Sequence, residues 1–330
     1  MSTTPETFPA SAIIPTRHRG NVLRRTLESV ANQSSCPTEI IVVDASLDSY
    51  TKEICRELAE TLALYRSHCH LHYQAAQQPG AASQRNEGVA SASGECILFM
   101  DDDIILEPEC LRRLWVALNS DPQIGGVSAM ITNQKYHPPG PVSKRLFAWL
   151  NNGHAENYAG KCIGPALAQL PDDDPSLPDV VPVEWLNTTC TLYRRQALPS
   201  PPFESHFHGA SIAEDLTLSL IVGKGWRLAN ARTARIYHDS QQGDHKKSLV
   251  TISAMTTINR HFIMRHILAK DSFADYANLC LVEVFSLASC LSSWAAFKTL
   301  PALAWGKMVG AYKVVAGNYA PLDSGLKRTK

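Results

Sequence analysis

Three consecutive carboxylates, Asp101-Asp102-Asp103, follow directly on the apolar run 96–100, Cys-Ile-Leu-Phe-Met. Adjacent aspartates at the carboxyl end of a strand supply hard oxygen ligands for Mg²⁺ or Mn²⁺ beside a diphosphate, whereas the same triplet in a solvated turn holds nothing. The chain contains its own comparison in Asp172-Asp173-Asp174, which sits between Pro171 and Pro175 with no strand leading in. Context therefore assigns the metal to the first triplet. Glu214-Asp215 opens a helical pattern with Leu216, Leu220 and Ile221 on one side and Gly223 and Gly225 to stop it. Acids at a helix start serve as caps; they also suit a general base that the helix dipole keeps ionised, and the two roles are compatible. His238, between the strand-like run 233–237 and Asp239, is either a further metal ligand or a surface histidine at a strand end. Arg85-Asn86 and Arg194-Arg195 could touch phosphate or sugar oxygens, or be solvated element ends, and Lys246-Lys247 is a weaker candidate of the same kind.

Positioning such groups requires a scaffold, and the pattern of the chain supplies one. Residues 11–15, Ser-Ala-Ile-Ile-Pro, form a short apolar run, and Val22, Leu23, Leu27 and Val30 then recur at helical spacing. The unbroken β-branched run at 39–44 predicts a strand buried on both faces, followed by a helix over 50–64. A third strand at 71–73, a third helix at 81–90 and a fourth strand at 96–100 complete an alternation that implies a mostly parallel sheet with helices on both faces. The stretch 137–182 is rich in Pro, Gly, Asn and Asp, and reads as a long irregular excursion over the active face. Regularity returns at 183–186, 190–193, near 214 and at 233–237, and from about 246 the pattern is helical to the end.

Bulk properties narrow the function. The 330 residues carry 31 basic and 31 acidic side chains, so the long-range attraction on which nucleic-acid binding relies is missing. Nine cysteines, none in a C-x-x-C pair or at zinc spacing, suggest free thiols in a reducing compartment. The polar segment 1–10 has no basic start or apolar run, so a cytoplasmic location is expected. No G-x-G-x-x-G follows a strand, and neither a P-loop, an H-E-x-x-H nor a G-x-S-x-G occurs.

Taken in order, the motifs resemble family 2 glycosyltransferases with the GT-A fold, over roughly residues 11–260. The resemblance rests on Ile14-Pro15-Thr16-Arg17, Val42-Val43-Asp44, Arg85-Asn86-Glu87-Gly88, Asp101-Asp102-Asp103, Trp185-Leu186-Asn187, Tyr193-Arg194-Arg195, Glu214-Asp215-Leu216 and Tyr237-His238. It implies an α/β GT-A nucleotide-binding fold at 11–245, after a polar tail at 1–10 and before a helical region at 246–330. It further implies that Pro15, Thr16, Arg17, Asp44, Arg85, Asp101 and Asp102 face the nucleotide-sugar donor, and that Asp103 with His238 holds Mn²⁺ or Mg²⁺. Trp185, Asn187 and Glu214 would lie on the acceptor side, and Asp215 would be the base of an inverting transfer.

Three features depart from the family pattern: Ala45-Ser46-Leu47-Asp48 lacks a glycine, Asn187-Thr188-Thr189 replaces a glycine-containing sequence, and the Q-x-x-R-W signature of processive synthases is missing. One sugar per encounter is the expectation, with a UDP- or dTDP-sugar donor and a glycan or lipid-linked acceptor. A sugar nucleotidyltransferase would need a glycine-rich first loop, which residues 14–20 do not form; an inactive, glycan-binding relative is the other alternative. Residues 280–297 approach the length of a membrane span, but Glu283 and four serines spoil it. Residues 300–319 mix apolar side chains with Lys307, Lys313, Trp305, Tyr312 and Tyr319, which suggests peripheral contact with the inner face of a membrane, or equally an ordinary covering helix.

Overall fold

The structure is a computed structural model that describes residues 7–65, 68–153, 157–207, 211–240 and 248–317. Its first half alternates as the apolar pattern demands: β1 (Thr7–Thr16), α1 (Gly20–Ala31), β2 (Cys36–Asp44), α2 (Tyr50–Tyr65), β3 (His70–Ala75), α3 (Ala81–Ser91) and β4 (Cys96–Met100). There follow β5 (Ile104–Leu106), α4 (Cys110–Leu118), β6 (Ile124–Ile131), α5 (Pro141–Leu150), the two-residue strands β7 (Cys162–Ile163) and β8 (Leu167–Ala168), β9 (Val180–Val183) and β10 (Cys190–Arg194). The remainder comprises α6 (Glu214–Val222), β11 (Arg227–His238), α7 (Leu249–Phe262), α8 (Phe273–Ala288), α9 (Trp294–Phe297) and α10 (Leu300–Val315).

Nine strands form one sheet in the order β3-β2-β1-β4-β10-β6-β11-β5, with β9 also on β11. β1, β2, β3, β4, β6 and β11 run one way, and β10, β5 and β9 run against them, so the sheet is mostly parallel. Both of its faces are buried. Leu98 and Met100 of β4 pack with Leu23 and Leu27 of α1 and Leu111 and Leu114 of α4. On the opposite face Ile97 and Phe99 meet Ala82 of α3, Leu218 and Val222 of α6, and Phe203. This double burial is why β1, β2 and β4 read as continuous apolar runs. The carboxyl ends of β1, β2, β4 and β11 fall on one edge, and antiparallel β10 brings its amino end there too, with Cys190 opposite Met100.

Five elements differ from the sequence reading. α4, β5 and β6 occupy a stretch to which no element was assigned. β6 is fully buried yet carries Gly125 and Gly126, and a Cβ there would meet Trp226 and Tyr193 at 2.6 Å, so bulky neighbours rather than β-branched residues shape this strand. The excursion 137–182 is not irregular throughout, because α5 lies within it and packs Leu146, Phe147 and Leu150 against Val282 of α8. The regularity expected at 183–186 stops at Val183, which leaves Trp185 beyond the strand. The expected domain boundary near 245, like Lys246-Lys247, the first six residues and Tyr319, lies outside the described residues.

The motif Arg85-Asn86-Glu87-Gly88 ends in glycine for a steric reason: a Cβ on Gly88 would sit 2.5 Å from the Ile13 side chain and 3.2 Å from that of Val43. α3 thus approaches β1 and β2 as closely as a helix can. Gly88→Ala should lower the unfolding free energy by about 1–3 kcal/mol through overpacking, despite alanine's better helix propensity. Chemical denaturation of the two proteins measures this, and equal stability would mean that the helix shifts freely.

Candidate active site

The aspartate triplet emerges from β4 into a turn that several neighbours pin. Asp101 donates its N–H to Thr189 O at 3.0 Å, ahead of β10. Thr26, buried on α1, donates its hydroxyl to the carbonyls of Asp102 at 2.8 Å and Ile104 at 2.9 Å. The carbonyl of Asp103 accepts from the Asp239 N–H at 2.8 Å, tying the turn to the end of β11. Backbone groups in this non-repetitive turn are therefore paired, as burial demands.

The three carboxylates have different surroundings. Asp102 is buried and engaged by the protein itself, accepting from Thr16 Oγ1 at 2.6 Å and Arg19 Nη1 at 3.1 Å. Burial pushes its carboxyl up to about 6, against the opposing pull of Thr16 and Arg19. Asp103 pairs with Arg19 Nη1 at 3.3 Å and lies 3.1 Å from His238 Nε2. Gln134 Nε2 holds the other ring nitrogen of His238 at 3.2 Å. Ligand atoms of Asp101, Asp103 and His238 all lie within 4.8 Å of one another. Two carboxylates and one imidazole converging in this way fit a divalent cation, and the nitrogen ligand suits Mn²⁺ better than Mg²⁺.

Arg85 connects this group to the second acidic pair. Its side chain is only 4% exposed, and it donates from Nη2 to Asp101 Oδ1 at 2.7 Å and from Nη1 to Glu214 Oε1 at 2.9 Å. The guanidinium also lies 5.6 Å from the centre of the Phe203 ring. Glu214 and Asp215 begin α6, as the helical pattern predicts, but their ionisation is not the one expected from the helix dipole. Burial, then the Asp215 charge, pushes Glu214 up against the pull of Arg85. Burial likewise raises Asp215, opposed by the Leu216 N–H that donates to its Oδ1 at 2.7 Å and by Arg85. Desolvation outweighs the dipole because both groups sit under the sheet edge rather than on a solvated helix end. Ser211 and Ala213, just before the helix, have left-handed φ values of 47° and 67°. Such non-glycine strain costs on the order of 1–3 kcal/mol per residue and concentrates at functional sites.

The remaining predicted residues are less centrally placed. Pro15 lies in register opposite Val43, and Arg17 is exposed. Asp44 is buried; its carboxylate accepts from the Ser46 N–H at 2.9 Å and hydroxyl at 2.5 Å, and from Tyr73 at 3.2 Å. The serine in the glycine-free turn thus organises the loop through Asp44. Trp185 donates to Gln169 O at 2.7 Å, and Asn187 accepts from the Thr189 N–H at 3.2 Å. Both flank Leu186, whose N–H donates to Ser219 of α6 at 2.9 Å, so this segment follows the helix that bears Asp215.

Residues 11–165 match the family model described as glycosyl transferase family 2. That match covers just under half of the chain. Among curated relatives, the uncharacterized glycosyltransferase YwdF of Bacillus subtilis is 28% identical over 42% of the chain and 49% of its own length. The GalNAc(5)-diNAcBac-PP-undecaprenol beta-1,3-glucosyltransferase of Campylobacter jejuni is 24% identical over 60% of the chain and 56% of its own length. The chain therefore spans about half the length of these relatives. Among solved structures, the mannosyltransferase PcManGT of Pyrobaculum calidifontis, in complex with GDP-Man and Mn²⁺, superposes with a TM-score of 0.53. It is 17% identical, and the match covers 94% of this chain and 86% of that one, which shows the GT-A fold.

Sequence reasoning passed over Arg19, Thr26 and Gln84. Gln84 donates to the carbonyls of Thr16 at 2.9 Å and Val43 at 2.7 Å, locking the tips of β1 and β2 together. Nothing in spacing or composition marks a buried glutamine as a strand clamp. The second aspartate triplet has a structural use too, because Asp173 takes both Arg235 nitrogens at 2.8 and 2.9 Å. It anchors the excursion to β11 and is not the idle acid that the sequence comparison assumed.

Asp103→Asn should weaken metal-dependent donor binding on the order of a hundredfold or more while leaving the thermal melt nearly unchanged. Asp172→Ala is the acidic control. Calorimetric titration of UDP with Mn²⁺ reads both, and equal loss in the two variants would remove the metal assignment. Arg85→Met should cost about 3–5 kcal/mol of stability, since it leaves buried Glu214 and part-exposed Asp101 without the guanidinium that joins them. Denaturation curves of the two proteins check this, and equal stability would mean that Arg85 acts through packing alone.

Proposed function

We propose that the chain is a metal-dependent, inverting glycosyltransferase that moves one sugar from a nucleotide-sugar donor to a hydroxyl of a glycan or lipid-linked acceptor. The observation that carries this reading is the single chain of contacts from Asp103 and His238 through Asp101 and Arg85 to Glu214, with Asp215 beside it. It sets a cation-binding group and a raised carboxylate around one edge of a nucleotide-binding sheet.

In the proposed reaction Asp215 removes the proton from the acceptor hydroxyl as its oxygen attacks the anomeric carbon. The bond from that carbon to the diphosphate oxygen breaks on the opposite face, so configuration inverts and the nucleoside diphosphate departs. Mn²⁺ or Mg²⁺, held by Asp101, Asp103 and His238, would supply charge neutralisation for the diphosphate. Arg19, fixed against Asp102 and Asp103, adds a permanent positive charge beside it. Pro15, Thr16, Arg17 and Asp44 border the donor at the ends of β1 and β2. A cavity of about 400 Å³ opens there, lined by His18, Arg19, Asp48 and Tyr50 among others. A uracil or thymine N3–H could pair with a carboxylate of this loop, which favours UDP- and dTDP-sugars.

Trp185, Asn187 and Glu214 stand on the acceptor side. The undecaprenol diphosphate in the name of the Campylobacter jejuni relative supports a lipid-linked acceptor. A donor screen over UDP-, dTDP- and GDP-sugars, read as released nucleoside diphosphate with and without Mn²⁺, tests the reading. A glycan-binding relative without catalysis would bind donor and release nothing, and a nucleotidyltransferase would consume a sugar phosphate and a nucleoside triphosphate instead.

Because the base must be ionised and burial raises its pKa, turnover should fall on acidification at a higher pH than the ordinary aspartate value of about 3.9. Asp215→Asn should cut turnover by about 10²–10⁴-fold, abolish that acidic limb, and leave donor affinity nearly unchanged. Measuring kcat against pH and donor binding in both proteins checks it; lost donor affinity with turnover retained at saturation would reassign Asp215.

A further inference from the structure

α8, α9 and α10 turn many of their large apolar side chains outward. In α10 the buried positions are Gly306 and Gly310, where a Cβ would meet Val250 O at 2.4 Å and Ala254 O at 2.8 Å of α7. The exposed positions of the same helix include Pro301, Trp305, Met308, Tyr312 and Val315, spaced four, three, four and three residues apart along one stripe. α8 and the turn after it repeat the inversion. Phe273, Ala277, Leu281, Val284, Ala288 and Leu291 form an exposed stripe of one helix face. Glu283 points inward, where it takes Arg260 of α7 at 2.7 Å and Lys307 of α10. Trp294 and Phe297 of α9 stack at 5.5 Å between ring centres and are exposed as well. α5 joins the same group: Trp149, 69% exposed, donates to Asn278 of α8 at 3.1 Å, and Val142 is open one helix turn and more before it.

α8 does bury Leu279 and Val282, but glycines and a paired charge inward with Trp305, Met308, Val284 and Leu281 outward is an arrangement that water disfavours and lipid favours. Charge on these elements is predominantly positive, and the acid in the first turn of α8, Asp275, is held in the capping box with Ser272. Lys144, Arg145 and Lys298 are exposed, Lys313 is half-buried, and between residues 276 and 317 the sole acid, Glu283, is consumed by its two partners. A cationic, aromatic-rich apolar face complements an anionic bilayer surface, whereas a second copy would set like charges against each other.

We propose that α5, α8, α9 and α10 together form a lipid-embedding face, so that the membrane seat is part of the folded catalytic unit and not a detachable tail. α8, at 20 residues with its following turn, is long and apolar enough to cross a membrane, but Glu283 clamps it to α7 and α10 and keeps it lying on the protein. The face explains how a lipid-linked acceptor would be met, and in that respect rests on the proposed function; its occupancy by lipid is measured separately.

The experiment is flotation of the full chain with vesicles of phosphatidylcholine alone or with anionic phosphatidylglycerol, alongside Val284→Glu/Trp305→Glu/Met308→Glu and a control, Val116→Glu, on exposed α4. The full chain and the control should float with anionic vesicles, more weakly at high salt. The triple variant, with its melt and donor hydrolysis retained, should partition about a hundredfold less or lower. If the full chain stays soluble with anionic vesicles, if the triple variant floats equally, or if light scattering shows a dimer that this variant dissolves, the lipid face is overturned. Flotation without donor hydrolysis would retain the face and refute the transferase reading instead.

Discussion

The constraint on which the site depends is a buried guanidinium shared between two acids on different elements. Arg85 comes from α3, Asp101 from the end of β4 and Glu214 from the start of α6, and no backbone hydrogen bond joins these three positions. Removing so many charges from water is costly, and the cost is met only while all three hold their geometry. The Nε of Arg85 has no partner of its own, so the side chain is held by its two terminal nitrogens and by the Phe203 ring. A charge cluster of this kind tolerates few alternative arrangements, and it thereby fixes the distance between the cation-binding group and α6.

Around that cluster the sheet edge supplies the remaining order. Thr26, Gln84 and Asp239 each bond to backbone at the strand tips, which lets an irregular turn carry three adjacent carboxylates without stranded polar groups. The left-handed backbone at Ser211 and Ala213 is held by other contacts: the Ser211 hydroxyl accepts from the Ala82 N–H at 3.4 Å, and the Ala213 carbonyl from the Thr217 N–H at 3.1 Å. α7 then closes the back of α6: His206 stacks on Phe262 at 4.0 Å, and Asn259 donates to Ile212 O at 2.7 Å. The helices that show apolar side chains to the outside pack on α7, which in turn touches the segment leading into α6.

Much of the scaffold was legible from residue pattern because its causes are local. A strand buried on both faces must be apolar throughout, and an amphipathic helix must repeat every 3.6 residues, so the alternation from β1 to β4 and the start of α6 could be read directly. The position of Asp101-Asp102-Asp103 after a strand, and of His238 at the end of another, carried the same local signature. What pattern reading lost was β6, whose glycines answer to Tyr193 and Trp226 far along the chain, and α5, whose apolar face answers to α8.

By itself, then, the order of residues determined the α/β class, the strand ends and the candidate carboxylates, since each follows from hydrophobic periodicity and its interruption. Tertiary structure alone decided which acids meet. Two identical aspartate triplets differ in role because one faces His238 across the sheet edge while the other takes Arg235 in a bidentate pair. The ionisation of Asp215 was likewise decided in three dimensions, because desolvation depends on everything packed around a group and the helix dipole only on its own helix. Even the outward apolar stripes of α8 and α10 could be recognised only once Glu283, Gly306 and Gly310 were seen to face inward; periodicity marks an apolar stripe but cannot tell which solvent it meets.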